Sequence, residues 1–125
     1  MFKKKYSILI VDDDEFLVNI YKTKFEMEKF KVYTAGDGEE GLLVAQRKKP
    51  DIILLDILMP KTDGLTMLEK LKQNSILKDI PVILHTNLGQ KEDVKKGLVK
   101  GASDYVIKSH FKPSEIVDKV KKILI

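Results

Sequence analysis

Three short runs constrain this chain more than any other feature in it: Ile8-Leu9-Ile10-Val11, Ile52-Ile53-Leu54-Leu55 and Val82-Ile83-Leu84. A strand with one wet face alternates polar and apolar side chains, and none of these runs does. Strands of this kind are covered on both faces, as in a parallel sheet sandwiched between helices. Between the runs the period changes to that of amphipathic helices, and two weaker strand candidates complete the alternation. Strands are expected at 6–11, 31–34, 52–55, 82–84 and 105–107.

The helices fall in the intervals. Asp14 precedes a first helix on which Phe16, Ile20 and Met27 share an apolar face, and Asp13 or Asp14 is placed to cap it. A second spans 38–49 and is closed by Pro50; a third, 64–73, sets Leu65, Leu68 and Leu71 at helical spacing. The fourth, 91–100, carries Val94 and Leu98, with Gly101 placed to cap its C-terminus. Its Gly97 reads as a weak point, costing about 1 kcal/mol against Ala. In the fifth, Pro113 occupies the first turn, and Ile116, Val120, Ile123 and Leu124 form one stripe. Strand–helix alternation over 125 residues implies one α/β domain, residues 1–125, with right-handed crossovers. The expected architecture is a flavodoxin-like three-layer α/β/α sandwich, with five parallel strands in the order 2-1-3-4-5 and five helices.

Composition narrows the function classes. No apolar run is long enough to span a bilayer. The opening "MFKKKYSILIV" is basic and then apolar, but it breaks into acids without a small-residue cleavage site, so it reads as a first strand and not as a signal peptide. The chain has no cysteine, which excludes a disulfide framework and Cys-ligated metal and fits a cytoplasmic protein. Net charge is +4, and the excess lies within residues 91–125, where nine Lys face five acids. Those Lys are interleaved with acids and lack Arg, so a solvated basic face is expected, with no direct nucleic-acid or membrane partner.

Ligands of open parallel sheets bind beyond the carboxyl ends of the strands. Strand one runs straight into Asp12-Asp13-Asp14-Glu15; strand three ends in Asp56, strand four in Thr86 and strand five in Lys108. In the expected order these ends are neighbours, so Asp12, Asp13, Asp56, Thr86 and Lys108 should converge. Two carboxylates about 4 Å apart repel by roughly 4 kcal/mol at an effective dielectric of 20. Three stay ionised together only with a cation between them, and an all-oxygen set suits Mg²⁺ better than a metal that wants His or Cys. His85 reads as a packed or hydrogen-bonded histidine, His110 as a loop residue near the site, and the four Met as core filler.

With these residues in place the chain resembles the receiver domain of two-component response regulators, the single-domain chemotaxis regulators among them. The segments that carry the likeness are "ILIVDDDE", "DIILLDILMPKTDGL", "IPVILHTN" and "GASDYVIKS". The resemblance implies that Asp56 is the phosphoacceptor, taking a phosphoryl group from a histidine kinase or phosphotransfer protein. It implies Mg²⁺ held by Asp12, Asp13, Asp56 and the backbone carbonyl of Leu58. It implies that Lys108 pairs with a phosphoryl oxygen, that Thr86 and Tyr105 switch on phosphorylation, and that the surface of the fourth helix, fifth strand and fifth helix then meets a downstream protein target. Such a chain is no enzyme beyond its own phosphorylation and dephosphorylation. A chain that begins with Met and ends with the domain favours a stand-alone receiver, with a piece of a larger regulator or hybrid kinase as the open alternative.

Four positions depart from the family pattern. Ser109 follows Lys108 where the family has proline in a cis bond, and a cis bond without proline costs about 3–4 kcal/mol. Asn87 replaces the small residue after Thr86. Leu58 and Leu88 are apolar where some members carry polar groups that orient the hydrolytic water, which implies slow self-dephosphorylation. Met59-Pro60 belongs to the loop after the acceptor. Three other readings remain open at this point: a receiver-like interaction module that needs no phosphorylation, a haloacid-dehalogenase-type phosphatase with an Asp nucleophile after strand one, and a flavodoxin.

Overall fold

The computed structural model describes residues 5–59, 63–87 and 89–125. Its element order is β1 Ser7–Val11, α1 Glu15–Met27, β2 Lys31–Ala35, α2 Gly38–Lys48, β3 Ile52–Asp56, α3 Gly64–Gln73, β4 Val82–Thr86, α4 Lys91–Val99, β5 Asp104–Ile107 and α5 Pro113–Leu124. A single 3₁₀ turn, Lys108–His110, links β5 to the last helix. The five strands form one parallel sheet in the order β2-β1-β3-β4-β5. Element ends differ from the sequence expectation by one or two residues: β3 and β4 extend through Asp56 and Thr86, and α2 stops at Lys48, with Lys49 left-handed at its cap.

The two central strands β3 and β4 are buried at every residue, as runs without polar alternation require. Their side chains feed two cores. Leu9, Val11, Ile53, Leu55, Val82 and Leu84 pack with the helices α2, α3 and α4. Ile8, Ile10, Ile52, Leu54, Ile83 and Val106 pack with α1 and α5, among the rings of Tyr21, Phe25 and Phe30. The stripe expected on α5 is present: Ile116 and Val120 are buried, with Ile123 and Leu124 partly so.

Two expectations need correction. The Phe16, Ile20 and Met27 face of α1 points to solvent, with Phe16 77% exposed, and the helix buries Val18, Tyr21 and Phe25 in its place. Both sets have helical spacing; the sheet selects the one whose aromatic rings reach β4 and α5. Gly97 is no weak point of α4. A Cβ there would lie 2.3 Å from Leu84 Cδ1, so the absence of a side chain lets α4 approach β4 closely. Gly101 does cap α4, with φ of +110°, and the Ala102 amide donates to the Gly97 carbonyl at 3.0 Å. No described helix is long and apolar enough to cross a membrane.

Candidate functional site: an acidic cluster at the carboxyl end of the sheet

Strand parity builds the site. Ile10, Leu54, Ile83 and Val106 face α1 and α5; two positions further along, Asp12, Asp56, His85 and Lys108 keep that parity. In the β3–β4 register Asp56 stands opposite His85. Asp12 continues β1, with its amide donating to the Ala35 carbonyl at 3.0 Å. Carboxylate oxygens of Asp12, Asp13 and Asp56 lie within 4.8 Å of one another. Asp12 and Asp56 are each 3% exposed, whereas Asp13 stands at the surface. Asp14, the third acid of the run, is the α1 cap, its Oδ1 accepting from the Leu17 amide at 3.2 Å.

Lys108 bridges the two buried acids, with Nζ 2.9 Å from Asp12 Oδ2 and 3.4 Å from Asp56 Oδ2. It opens the 3₁₀ turn, and no peptide bond among the described residues is cis. Asp12 Oδ1 accepts from the Asp14 amide at 2.9 Å. Its Oδ2 faces His85 Nδ1 at 3.5 Å as well as Lys108, yet neither approach completes a hydrogen bond. Behind His85, its Nε2 is 3.0 Å from the Tyr21 hydroxyl, with the rings edge to face.

These surroundings separate the two acids. Burial raises both. At Asp12 the contacts with His85, the Asp14 amide and Lys108 outweigh burial and hold the carboxyl at about 2. At Asp56 burial is joined by the charge of Asp12, Lys108 offsets only part of this, and the carboxyl is pushed up to about 7. Burial lowers the basicity of His85, leaving a neutral imidazole. It also lifts the Tyr21 phenol to about 12, with the charges of Asp12 and Asp14 adding to the effect. Burial would lower Lys108 too, but Asp12 and Asp56 prevail and keep it raised, hence charged.

The cluster is of a kind that holds a metal ion. A buried carboxylate oxygen without a hydrogen bond, Asp12 Oδ2, next to two further acids is what a hard cation relieves, and oxygen donors alone suit one that keeps waters. The other expected residues are placed as follows. Thr86 is buried, and its hydroxyl donates to Gln90 Oε1, which also accepts from the Asn87 amide at 2.8 Å. Tyr105 is 40% exposed and Leu58 57% exposed; Asn87, Ser109 and His110 are exposed. Pro60 and Leu88 lie outside the described residues.

Sequence reasoning placed His85 correctly as a hydrogen-bonded histidine but did not connect it to the acids, and it passed over Tyr21 and Gln90. A signal for His85 existed: in a parallel pair a residue one before Thr86 faces the side opposite to Thr86, which is the side of Asp56. For Gln90 none existed, because its bond to Thr86 depends on how α4 begins.

Comparison with known proteins agrees with this geometry. The sequence model of the response regulator receiver domain matches residues 8–121. The alkaline phosphatase synthesis transcriptional regulatory protein PhoP of Bacillus subtilis is 39% identical over 117 residues, covering 94% of this chain and 48% of its own. The DNA-binding dual master transcriptional regulator RpaA of Synechocystis sp. is 38% identical over 117 residues, with the same coverage of 94% and 48%. The chain thus spans about half the length of these curated relatives. Among solved structures, the chemotaxis response regulator CheY4 of Vibrio cholerae superposes with a TM-score of 0.89 at 26% identity, over 97% of this chain and 100% of that one. The sheet order, the acidic cluster and these matches lead to one conclusion: the chain belongs to the family of response regulator receiver domains and plays the receiver's part in a phosphorelay.

Proposed function

We propose that Asp56 is the phosphoacceptor and that Asp12, Asp13, Asp56 and the Leu58 carbonyl hold Mg²⁺ beside it. The observation that carries this reading is the meeting of three carboxylates within 4.8 Å, two of them buried, against one lysine. The bound Mg²⁺ would supply neutralising charge to the cluster and to the oxygens of the incoming phosphoryl group.

The chain's own residues account for the rest. A carboxylate oxygen of Asp56 attacks the phosphorus of a phosphohistidine on a histidine kinase or phosphotransfer protein. The new P–O bond forms as the P–N bond breaks, and the imidazole leaves with the electron pair. Asp56 must be ionised to attack, and its raised proton affinity makes it the group that most needs a cation. Lys108, already between the two acids, is free to donate to a phosphoryl oxygen without crossing the site. Thr86 acts as a switch by exchanging its Gln90 acceptor for the phosphoryl group, with Tyr105 following from its half-open position. The surface of α4, β5 and α5, where Leu98 and Val99 are exposed, reports the change to a protein target. Leu58 has no group to orient water, so the phosphoryl group leaves slowly.

Incubation with acetyl phosphate or phosphoramidate and Mg²⁺ tests this. The expected result is a mass gain of one phosphoryl group, lost in Asp56→Asn and on adding EDTA. No gain in the intact protein overturns the reading and favours a module that binds partners without phosphorylation.

A further inference from the structure

The buried imidazole beneath the acids has no part in the scheme above, yet it touches one of them. His85 is 1% exposed and lies between the Tyr21 hydroxyl and Asp12. Its two nitrogens have different neighbours, and this selects one tautomer. With the proton on Nε2, the bare lone pair of Nδ1 would face the Asp12 carboxylate. With the proton on Nδ1, an N–H dipole faces that carboxylate and Nε2 accepts from the Tyr21 hydroxyl. The second arrangement turns a donor toward the Asp12 carboxylate and pairs Nε2 with the Tyr21 hydroxyl. At 3.5 Å the Nδ1 to Oδ2 approach is a charge–dipole contact, short of a completed hydrogen bond.

Among the described residues, Asp12 Oδ2 also has the Lys108 ammonium beside it. That lysine sits on a flexible stem and is shared with Asp56, and in the proposed reaction it moves to the phosphoryl oxygen. His85 cannot follow it. It is fixed on a central strand, with Tyr21 behind it on α1. We propose that His85, backed by Tyr21, is the positioning residue that holds the Asp12 carboxylate oriented for the divalent cation, including when Lys108 has turned away. Acids and imidazoles one layer behind a metal set ligand orientation, and losing them costs about 10–100-fold in affinity. The inference rests on the Mg²⁺ reading of the acidic cluster.

Two measurements on the full chain test it. In metal-free protein, the ¹⁵N shifts of the His85 ring should report the Nδ1–H tautomer. Mg²⁺ titration by calorimetry should show one site, weakened about tenfold or more in His85→Leu. His85→Asn restores an N–H near the position of Nδ1 and should bind Mg²⁺ much as the wild type does, although its smaller side chain lowers the melting temperature. Tyr21→Phe frees the ring to adopt both tautomers and should weaken Mg²⁺ by a smaller factor.

A purely structural role would follow the melting temperatures and would not be rescued by asparagine. Wild-type affinity in His85→Leu, equal weakness of the asparagine and leucine variants, or an Nε2–H tautomer each overturns the inference while leaving the Mg²⁺ site standing. Should His85→Leu not fold, the tautomer and the Tyr21→Phe titration decide: unchanged shifts and unchanged affinity in Tyr21→Phe overturn it. A wild-type chain that binds no Mg²⁺ overturns the inference and the site together.

Discussion

The chain leaves β1 and β3 through equally buried aspartates, and the two exits are held in opposite ways. At the β1 exit side chains do the holding. Asp12 accepts from the Asp14 amide, Asp14 caps α1, and His85 and Lys108 face the remaining oxygen. At the β3 exit the backbone does it. The Gly64 amide donates to the Ile57 carbonyl at 2.9 Å, and a Cβ on Gly64 would stand 2.1 Å from the Asp56 carbonyl oxygen. Among the described residues, the Asp56 side chain pairs with Lys108. Equal burial therefore gives one acid held at about 2 and another at about 7. The partners, more than the depth, decide which carboxylate is a fixed anchor and which is poised to react.

The largest effect should come from the backbone contact. Gly64→Ala forces a methyl group into main chain that cannot rotate away, so the β3 exit must move; a loss of more than about 3 kcal/mol is expected. Urea unfolding measures it, and a loss below about 1 kcal/mol would show that the exit is not held by this approach. The contrast with Gly97→Ala sharpens the point. There the collision is with the Leu84 side chain, which can repack at a cost of about 1–3 kcal/mol, partly offset by the better helix propensity of Ala.

Asp56→Asn comes next, and its sign depends on pH. Without divalent cation, Asp56 holds its proton up to about 7 in the folded chain but only to 3.8, its ordinary value, when unfolded. Between these values the folded state binds more protons, so stability falls as pH rises from about 4 to about 7 and stays low above that. Asparagine escapes this loss. In EDTA the variant should be more stable than the wild type by on the order of 2–4 kcal/mol at about pH 7.5, with the gain gone near pH 4. Added Mg²⁺ should shrink the difference at the higher pH. A gain independent of pH would mean that packing, and not charge, separates the two proteins.

The two exits were not equally legible in the sequence. The three inner strands follow from unbroken apolar runs, the strand order from the flavodoxin-like pattern, and the meeting of Asp12, Asp13, Asp56 and Lys108 from the rule that sites lie at strand ends; Thr86, expected with them, lies on the other side of the sheet and is turned to Gln90. Period 2 is a rigid constraint, and it carried through. Helical faces are less legible, because α1 offers two apolar stripes and only the sheet decides between them; the stripe of Phe16, Ile20 and Met27 reads as well as that of Val18, Tyr21 and Phe25. Gly97 was misread for a related reason. Helix propensity is local, whereas the room it leaves for Leu84 is a property of two elements. Lys108 was found although the residue after it departs from the family pattern, since its reach depends on strand parity and stem length.

The smallest predicted effect separates the causes acting on Asp56. Burial is the first of these and the charge of Asp12 the second. Asp12→Asn removes the charge and leaves the burial, and it also releases Lys108 to pair with Asp56 alone. Both changes favour ionised Asp56, so its pKa should fall from about 7, by about one unit, equivalent to about 1.4 kcal/mol. Carboxyl ¹³C shifts followed through a pH titration of metal-free protein would read it directly. An Asp56 that still titrates at its wild-type value would mean that depth alone sets its proton affinity. The β1 exit would then have no hold over the β3 exit, and the contrast between them would reduce to two independent acids. A fall to the ordinary carboxylate range would mean the reverse, that Asp12 supplies nearly all of the shift. In that case a cation binding at Asp12 and Asp13 would ionise Asp56 without touching it.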